Sequence, residues 1–148
     1  MQLTLAHVGS LAGHRDEFEA LTQIYLERCS GYVTCCAQAF KTETALLEWV
    51  GKQKGRTTAV TVLLDGRGKQ MSSEALAVWL GRNRDDGAQH LVFAVGPADG
   101  WSDDVRKNAT MLLSLGPMTM AHALARVVIA EQIYRAFTIL AGHPYHRS

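Results

Sequence analysis

The chain lacks the long apolar segments that would place it in a membrane or direct it out of the cell. No run in its 148 residues approaches the roughly 18 consecutive apolar residues of a membrane-spanning helix. The first four residues contain no basic group and no long apolar stretch, so we expect no secretory signal peptide. These absences favour a cytoplasmic protein that does not enter a membrane.

Cysteine is also scarce. The three cysteines are Cys29, Cys35 and Cys36, and an odd number with an adjacent pair fits neither a disulfide framework nor a Cys-x-x-Cys metal site. The six scattered histidines include no His-Glu-x-x-His motif. We therefore expect buried or half-buried thiols in a reducing cytoplasm, and no metal.

The chain has no excess of charge of either sign. Its formal net charge at pH 7 is +1, from 15 basic and 14 acidic residues. Proteins that grip RNA through its phosphates usually carry a basic excess. The balance argues against RNA binding through overall charge by a lone monomer, although a dimer can pool local basic groups.

Apolar, β-prone runs alternate with segments of helical spacing. Strands are predicted over residues 2–8, 32–37, 57–64 and 90–95, with a last one within 111–115; helices are predicted over 15–29, 42–52, 74–80, 102–112 and 121–141. Residues 65–68 are predicted to form a loop. This alternation predicts one α/β domain over residues 1–148, with a mostly parallel sheet and helices on both faces.

Three loops that follow apolar strands are candidates for a ligand site. They lie at residues 64–66, 96–100 and 115–120, and ligands in open α/β sheets bind beyond the carboxyl ends of the strands. Glycine lets the backbone approach a ligand closely. The faces of a flat ring can be covered by apolar side chains of these loops: Leu64, Leu115, Met118 and Met120. The residues alone leave open whether these loops are only tight turns. Residues 66–69 lack the spacing of a phosphate-binding loop.

The C-terminal region is dense in polar and aromatic groups. His122 and Arg126 lie four residues apart, hence on one side of the last predicted helix. Arg126 and Arg147 can bind phosphate, Tyr145 can stack on a base, and His122 or His146 can accept a proton. The residues leave open which group is the base, and a helix-capping histidine with a surface arginine is the structural alternative.

The last predicted helix, residues 121–141, also carries many apolar residues: Leu124, Val127, Val128, Ile129, Ile133, Phe137, Ile139 and Leu140. They exceed the stripe that one sheet face covers, which predicts a homodimer.

These motifs resemble the RlmH family of the SPOUT superfamily, bacterial methyltransferases that modify pseudouridine in 23S ribosomal RNA. The matching residues are 64–65, 68–74, 95–100, 113–116, 118–120, 131–136 and 144–147, with His122, Leu124 and Arg126. The resemblance covers the whole chain and is specific from about Leu64 onward. Pro97 and Ala121 depart from the family pattern, as does a shortened segment at 37–54.

The resemblance implies a SPOUT fold with a C-terminal trefoil knot, a homodimer, and methyl transfer from S-adenosylmethionine to N3 of a pseudouridine in the assembled ribosome. It also implies the residues that bind the cofactor: Leu64, Gly96, Leu115, Gly116, Pro117, Met118, Thr119 and Met120. Two alternatives stay open: a non-catalytic RNA- or ribosome-binding protein that keeps this fold, and a flavodoxin-like domain that binds a small ligand.

Overall fold

Strands and helices alternate along the chain, as the apolar pattern predicts. The structure is a computed structural model that describes residues 1–9, 17–53, 55 and 57–147. The elements are β1 (Gln2–Val8), α1 (Glu17–Cys29), β2 (Thr34–Phe40), α2 (Glu43–Gly51), β3 (Val60–Gln70), α3 (Ser73–Asp85), β4 (His90–Val95), α4 (Asp103–Asn108), β5 (Met111–Ser114) and α5 (His122–Ala141). The predicted α/β class is confirmed.

The strands form one sheet in the order β2-β1-β4-β3-β5, and each neighbouring pair is parallel. The carboxyl ends of the strands therefore lie at one edge. Because β4, β3 and β5 are neighbours, the loops that follow them lie side by side. This edge is where ligand sites form in parallel sheets.

Helices cover both faces of the sheet. On one face α5 lies between α1 and α3 and packs against both, around a core that includes Leu5, Phe93 and Ile133. On the other face α2 and α4 contribute Leu46 and Val105 to a second core. Alternate residues along each central strand feed the two cores, so the sheet is buried on both sides.

The helix ends follow the sequence signals. The hydroxyl groups of Thr42, Ser72 and Ser102 each accept a hydrogen bond from the backbone N–H three residues later, at 3.1, 3.0 and 3.4 Å. Each bond satisfies one of the donors that a helix start leaves unpaired. The last helix ends at Gly142, whose φ of 70° favours glycine. Ser72 therefore caps the start of α3, and Gly142 caps the end of α5.

One predicted loop is wrong. Residues 65–68 belong to β3, which continues to Gln70, and its pairing with β5 shifts between Leu64 and Lys69. The irregular part of this strand contains glycines and charged residues, which are typical of loops, and the sequence pattern therefore indicated a loop.

Other predicted boundaries move by several residues. The helix predicted over 102–112 ends at Asn108, because β5 begins at Met111. The second strand covers Thr34–Phe40, two residues later than its predicted start. The first two residues of the helix predicted over 15–29 lie outside the described residues.

Most of the apolar side chains of α5 are buried or half-buried within their own chain. Val127, Ile129, Ile133 and Phe137 are buried, and Val128, Ile139 and Leu140 are half-buried. Only Leu124 of this predicted set is exposed, at 42%. The sequence argument for a dimer is wrong on this point, because α1, α3 and the sheet together cover most of α5. A homodimer stays a prediction that needs another argument.

The three cysteines are free thiols; Cys29 is buried, Cys35 is half-buried and Cys36 is exposed. The expected burial is therefore wrong for Cys36. Across the described ranges there is no group of three or more side chains of the types that bind metals. Within those ranges, too, no helix has the length and apolar content to cross a bilayer.

Candidate functional site

A cleft opens where residues 64–67 of β3 meet the segments that follow β4 and β5. It encloses about 420 Å³, within the range of about 300–1,000 Å³ that is usual for small-ligand sites. The residues predicted to bind the cofactor all line it: Leu64, Gly96, Leu115, Gly116, Pro117, Met118, Thr119 and Met120. The strand order brings together three segments that are distant in the sequence.

Trp101 ties two of these segments to each other. Its indole N–H donates to the carbonyl oxygen of Leu64 at 2.9 Å, and the side chain is buried. A Cβ on Gly96 would lie 2.6 Å from the Cε2 of this indole, so only glycine fits there. The sequence suggested that glycine allows close approach to a ligand; the close approach observed is to Trp101. Sequence reasoning missed this residue, although a tryptophan directly after a glycine-rich loop was a usable signal.

Ser114 and Gly116 form a tight turn at the end of β5. The Ser114 hydroxyl donates to the carbonyl oxygen of Gly116 and accepts from its N–H, both at 3.1 Å. Gly116 has a φ of 125°, which other residues rarely adopt. The turn leads into Met118, whose side chain is 84% exposed and therefore free to fold over a bound ligand.

A carboxylate, Asp65, lines the same cleft. The Nε of Arg106 lies 2.8 Å from one carboxylate oxygen, and the backbone N–H of Arg67 donates to the other at 2.8 Å. Arg106 therefore balances the charge of Asp65 within the protein. The pair anchors residues 65–68, and sequence reasoning did not identify it.

His122 and Arg126 lie on one side of α5, near its start, but their side chains have different surroundings. His122 lines the cleft. Arg126 is 4% exposed, and its guanidinium pairs with the Glu19 carboxylate on α1. The structure therefore does not bring Arg126 to the surface, where the predicted phosphate contact requires it. It gives Arg126 an internal partner that joins α1 to α5.

His7 lies beside this pair, at the carboxyl end of β1. Burial lowers the pKa of His7, and the positive charges of Arg126 and His122 lower it further, while Glu19 opposes them. The imidazole of His7 is therefore held neutral at neutral pH. Sequence reasoning did not single out His7.

The C-terminal tail folds back onto its own chain. The Tyr145 hydroxyl donates to Glu131 at 3.0 Å, and the Tyr145 and Tyr134 ring centroids are 4.7 Å apart. Burial, and then the hydrogen bond to Glu131, raise the pKa of Tyr145 to about 12. Tyr145 thus stays protonated at neutral pH. The tail rests on α3 and α5, whereas the cleft is formed by the loops and the start of α5, and Arg147 is exposed.

Both ring nitrogens of His146 are occupied. Nδ1 lies 3.1 Å from the Arg135 guanidinium, and Nε2 lies 2.7 Å from the Glu74 carboxylate. Arginine can only donate, so Nδ1 accepts, and the proton sits on Nε2 and is donated to Glu74. This hydrogen bond lowers the pKa of Glu74. His146 can therefore act as a base only after it leaves one of these partners.

A smaller cavity of about 230 Å³ lies behind the Ser114–Gly116 turn. It shares Leu115 and Gly116 with the larger cleft, and Ser73 and Gln132 add polar groups to it. The Ser73 hydroxyl donates to the Gln132 side-chain oxygen at 2.6 Å. Glu74, which holds His146, directly follows Ser73. The cavity thus lies between the cleft and the tail.

The sequence matches known methyltransferases along its whole length. Residues 1–146 match the family described as "Predicted SPOUT methyltransferase". The "Ribosomal RNA large subunit methyltransferase H" of Koribacter versatilis (strain Ellin345) is 48% identical over 146 residues, which are 99% of this chain and 98% of the relative. The protein of the same name from Brucella ovis is 54% identical over 90 residues, 61% of this chain and 53% of the relative.

Solved structures share the fold. A probable methylase family protein from Haemophilus influenzae Rd KW20 has a TM-score of 0.60 at 7% identity, covering 99% of this chain and 70% of that one. The SpoU methyltransferase AviRb from Streptomyces viridochromogenes, solved with AdoMet, has a TM-score of 0.50 at 12% identity, covering 91% and 59%. With the matches along the whole sequence, these observations show that the chain belongs to the SPOUT methyltransferase family, among the ribosomal RNA large subunit methyltransferase H proteins.

Proposed function

We propose that this protein transfers a methyl group from S-adenosylmethionine to N3 of a pseudouridine in 23S ribosomal RNA of the assembled ribosome. The observation that carries the proposal is the cleft of about 420 Å³, formed by the loops that the family resemblance assigns to the cofactor. Family membership, and a relative matched over its whole length and named as a large-subunit ribosomal RNA methyltransferase, support the substrate.

The residues of the cleft fit this cofactor. Leu64 and Leu115 offer apolar surface for the faces of an adenine ring, and the backbone of residues 115–120 offers groups for its edges. Pro97 removes one backbone donor. S-adenosylmethionine supplies a methyl group that is already activated at sulfur. The remaining task of the protein is to align the acceptor nitrogen with that group and to accept its proton.

The smaller cavity is our proposed place for the target base. It shares Leu113, Leu115 and Gly116 with the cofactor cleft, and Ser73 and Gln132 offer hydrogen bonds to the base edges. His122 lines the cleft and is the histidine nearer to the cofactor. His146 joins the reaction only when the tail moves, because Arg135 and Glu74 hold it.

The finer features of the family complete the proposal. The protein is a single domain and acts as a homodimer in the cytoplasm, where the tail residues Tyr145 and Arg147 contact RNA in the site of the partner subunit. The chain contains the C-terminal trefoil knot.

The variant Gly66→Arg tests the cofactor site. Gly66 lines the cleft, no atom lies within 4 Å of its Cβ position, and its φ is not positive. An arginine is therefore compatible with the backbone and puts a long cation where the cationic cofactor binds. We expect titration calorimetry with S-adenosylmethionine to show binding by the wild type and none by Gly66→Arg. Methyl transfer to unmodified ribosomes should be lost as well.

The matched control is Gly51→Arg, because Gly51 at the end of α2 has equal free space and lies outside the cleft. This variant should bind and methylate as the wild type does. Equal affinity of wild type and Gly66→Arg would disprove the cofactor site. A wild type that binds the cofactor but leaves 23S ribosomal RNA unchanged by mass spectrometry would disprove the substrate and favour a non-catalytic RNA-binding protein.

A further inference from the structure

Trp101 belongs to the protein core and to the cofactor cleft at the same time. It is only 6% exposed and packs in the second core, which also contains Leu46 and Val105. The same residue lines the cleft. Any displacement of Trp101 would therefore change the shape of the cleft.

The indole ring of Trp101 lies between the ends of two central strands. The pairing of β3 with β4 extends to Leu63 and Ala94. Just beyond this pair, the indole N–H donates to the carbonyl oxygen of Leu64 at 2.9 Å. Three atoms of the ring lie 2.6, 2.8 and 3.0 Å from the position that a Cβ on Gly96 would take. The indole thus continues the connection between the two strands toward the cleft.

The backbone on both sides of Trp101 is anchored. Before it, a turn closes where the Gly100 N–H donates to the Pro97 carbonyl oxygen at 2.9 Å. After it, the Ser102 N–H donates to the Glu43 carboxylate at 2.7 Å, which ties this segment to the start of α2. Because the residue is fixed from both directions, its indole can hold the neighbouring strand in place.

The two segments that the indole joins are walls of the cleft, since Leu64 and Gly96 both line it. Walls that already have the right spacing bind a ligand more tightly, because less ordering is needed on binding. Without the indole N–H, the Leu64 carbonyl would lose this partner, and its segment would shift toward water to recover a hydrogen bond. The spacing of the walls would then change.

We propose that Trp101 is a positioning residue for S-adenosylmethionine, which holds the Leu64 and Gly96 walls of the cleft at the spacing that the cofactor requires before it binds. The inference rests on the cofactor site of the proposed function but not on its RNA substrate. Trp101 acts on the affinity for the cofactor, and not on the transferred methyl group or the acceptor base.

Titration calorimetry of the full-length protein with S-adenosylmethionine tests the proposal through Trp101→Phe, which keeps an apolar ring but loses the N–H donor. We expect the affinity to fall about 5- to 50-fold, as for a buried carbonyl group left without its donor. In methyl transfer to unmodified ribosomes, the KM for the cofactor should rise in the same proportion, and kcat at saturating cofactor should stay near the wild-type value.

The matched control is Trp79→Phe. Trp79 on α3 is half-buried, packs edge-on against Phe93 in the other core, and lies outside the cleft. This variant loses the same part of an indole and should bind the cofactor as the wild type does.

A tryptophan analogue removes the donor alone and leaves the packing intact. Benzothienylalanine has a sulfur atom in place of the indole N–H and nearly the same shape, so a protein that carries it at position 101 should fold even if Trp101→Phe does not. We expect this protein to show the same loss of cofactor affinity as Trp101→Phe.

Hydrogen exchange separates positioning from a merely structural role. In Trp101→Phe without cofactor, amide exchange should become faster in residues 64–66 and 96–100, while α2 and α4, which share the second core, keep their wild-type protection. Saturating S-adenosylmethionine should restore the protection of the two segments.

The outcomes are distinct from those of the proposed function. A wild type that binds the cofactor but leaves ribosomes unmethylated removes the proposed reaction, while the calorimetry still decides this proposal. Wild-type affinity in the protein that carries the analogue overturns it, as does an equal loss of affinity in Trp79→Phe. Faster exchange throughout α2 and α4 also overturns it, since Trp101 would then act only as a core residue.

Discussion

At the scale of single residues, the least conventional environment is that of His7. Its side chain is 5% exposed, and among the described residues its Nδ1 has no hydrogen-bond partner. Burial is the main cause of its lowered pKa, followed by Arg126 and His122. A neutral His7 keeps a further positive charge away from Arg126, which pairs with Glu19 nearby.

The lowered pKa of His7 predicts a pH dependence of stability. An unfolded histidine binds a proton below pH about 6.5, whereas folded His7 binds one only at lower pH. The free energy of unfolding should therefore be at its full value above pH 6.5 and fall as the pH drops below it. In His7→Leu, which has no group to titrate, this fall should be smaller. Urea unfolding at pH 7.5 and 5.5 measures the difference.

The control for this measurement is His90→Gln. His90 begins β4, at the opposite end of the sheet from His7, which pairs with Val95. This variant should keep the wild-type pH dependence. If His7→Leu loses as much stability as the wild type between the two pH values, His7 is not the group that titrates.

Residue predictions succeeded where the cause was local in the sequence. The four-residue spacing of His122 and Arg126 was enough to place both near the start of α5 on one side of the helix. Their roles differ because of Glu19, whose position opposite Arg126 depends on how α1 packs against α5. In the same way, the partners of His146 belong to α3 and α5. No local pattern contains such contacts.

At the scale of elements, the second half of β3 contains a position, Gly68, that requires glycine. A Cβ on Gly68 would lie 2.5 Å from the carbonyl carbon of Leu112, so the two backbones touch where β3 passes β5. Only a residue without a side chain permits this approach. The pairing of Lys69 and Gln70 with β5 depends on it.

Gly68→Ala should therefore weaken the contact between β3 and β5. We expect the free energy of unfolding to fall by about 1–3 kcal/mol, the usual effect of overpacking in a tight site. Gly66→Ala is the matched control two residues away, since its Cβ position is free. It should change stability by no more than about 0.5 kcal/mol. Equal losses in the two variants, measured by urea unfolding, would count against this close contact.

Most elements could be predicted, but their irregularities could not. The strands Gln2–Val8 and His90–Val95 match their predicted ranges, because apolar runs ended by glycine leave little choice. Residues 65–68 misled the prediction, since two glycines near a charged pair are typical of a loop. The flanking residues Leu64 and Lys69 both pair with β5, more than 40 residues later in the chain, and this pairing places residues 65–68 within one irregular strand.

At the scale of the whole molecule, alternation predicted the α/β class but not the order of the strands. That order decides the site: β3 lies between β4 and β5, so residues 64–67 of β3 and the segments after β4 and β5 form one cleft. The family resemblance supplied the cofactor residues, which strand periodicity alone did not. The folded-back tail was not predicted, because its contacts are side-chain bonds to Glu74, Glu131 and Arg135.

A homodimer is the remaining prediction at this scale, and the structure offers a new argument for it. Four apolar side chains, each 40–43% exposed, lie on α1 and at the start of α5: Phe18, Leu21, Ile24 and Leu124. Because α1 and α5 pack side by side, we expect these side chains to form one apolar patch suited to a second copy. Light scattering at micromolar concentration should give twice the monomer mass of 16.2 kDa.

Leu124→Glu should shift the mass toward that of the monomer, because a carboxylate buried in an apolar interface loses its hydration without gaining a partner. The matched control is Val78→Glu, since Val78 on α3 is 50% exposed and lies outside the apolar patch. If both variants stay dimeric, the interface lies elsewhere, and a monomeric wild type would remove the dimer altogether. A monomeric Leu124→Glu that still binds S-adenosylmethionine but no longer methylates ribosomes would be the result expected if the tail acts in the site of the partner subunit.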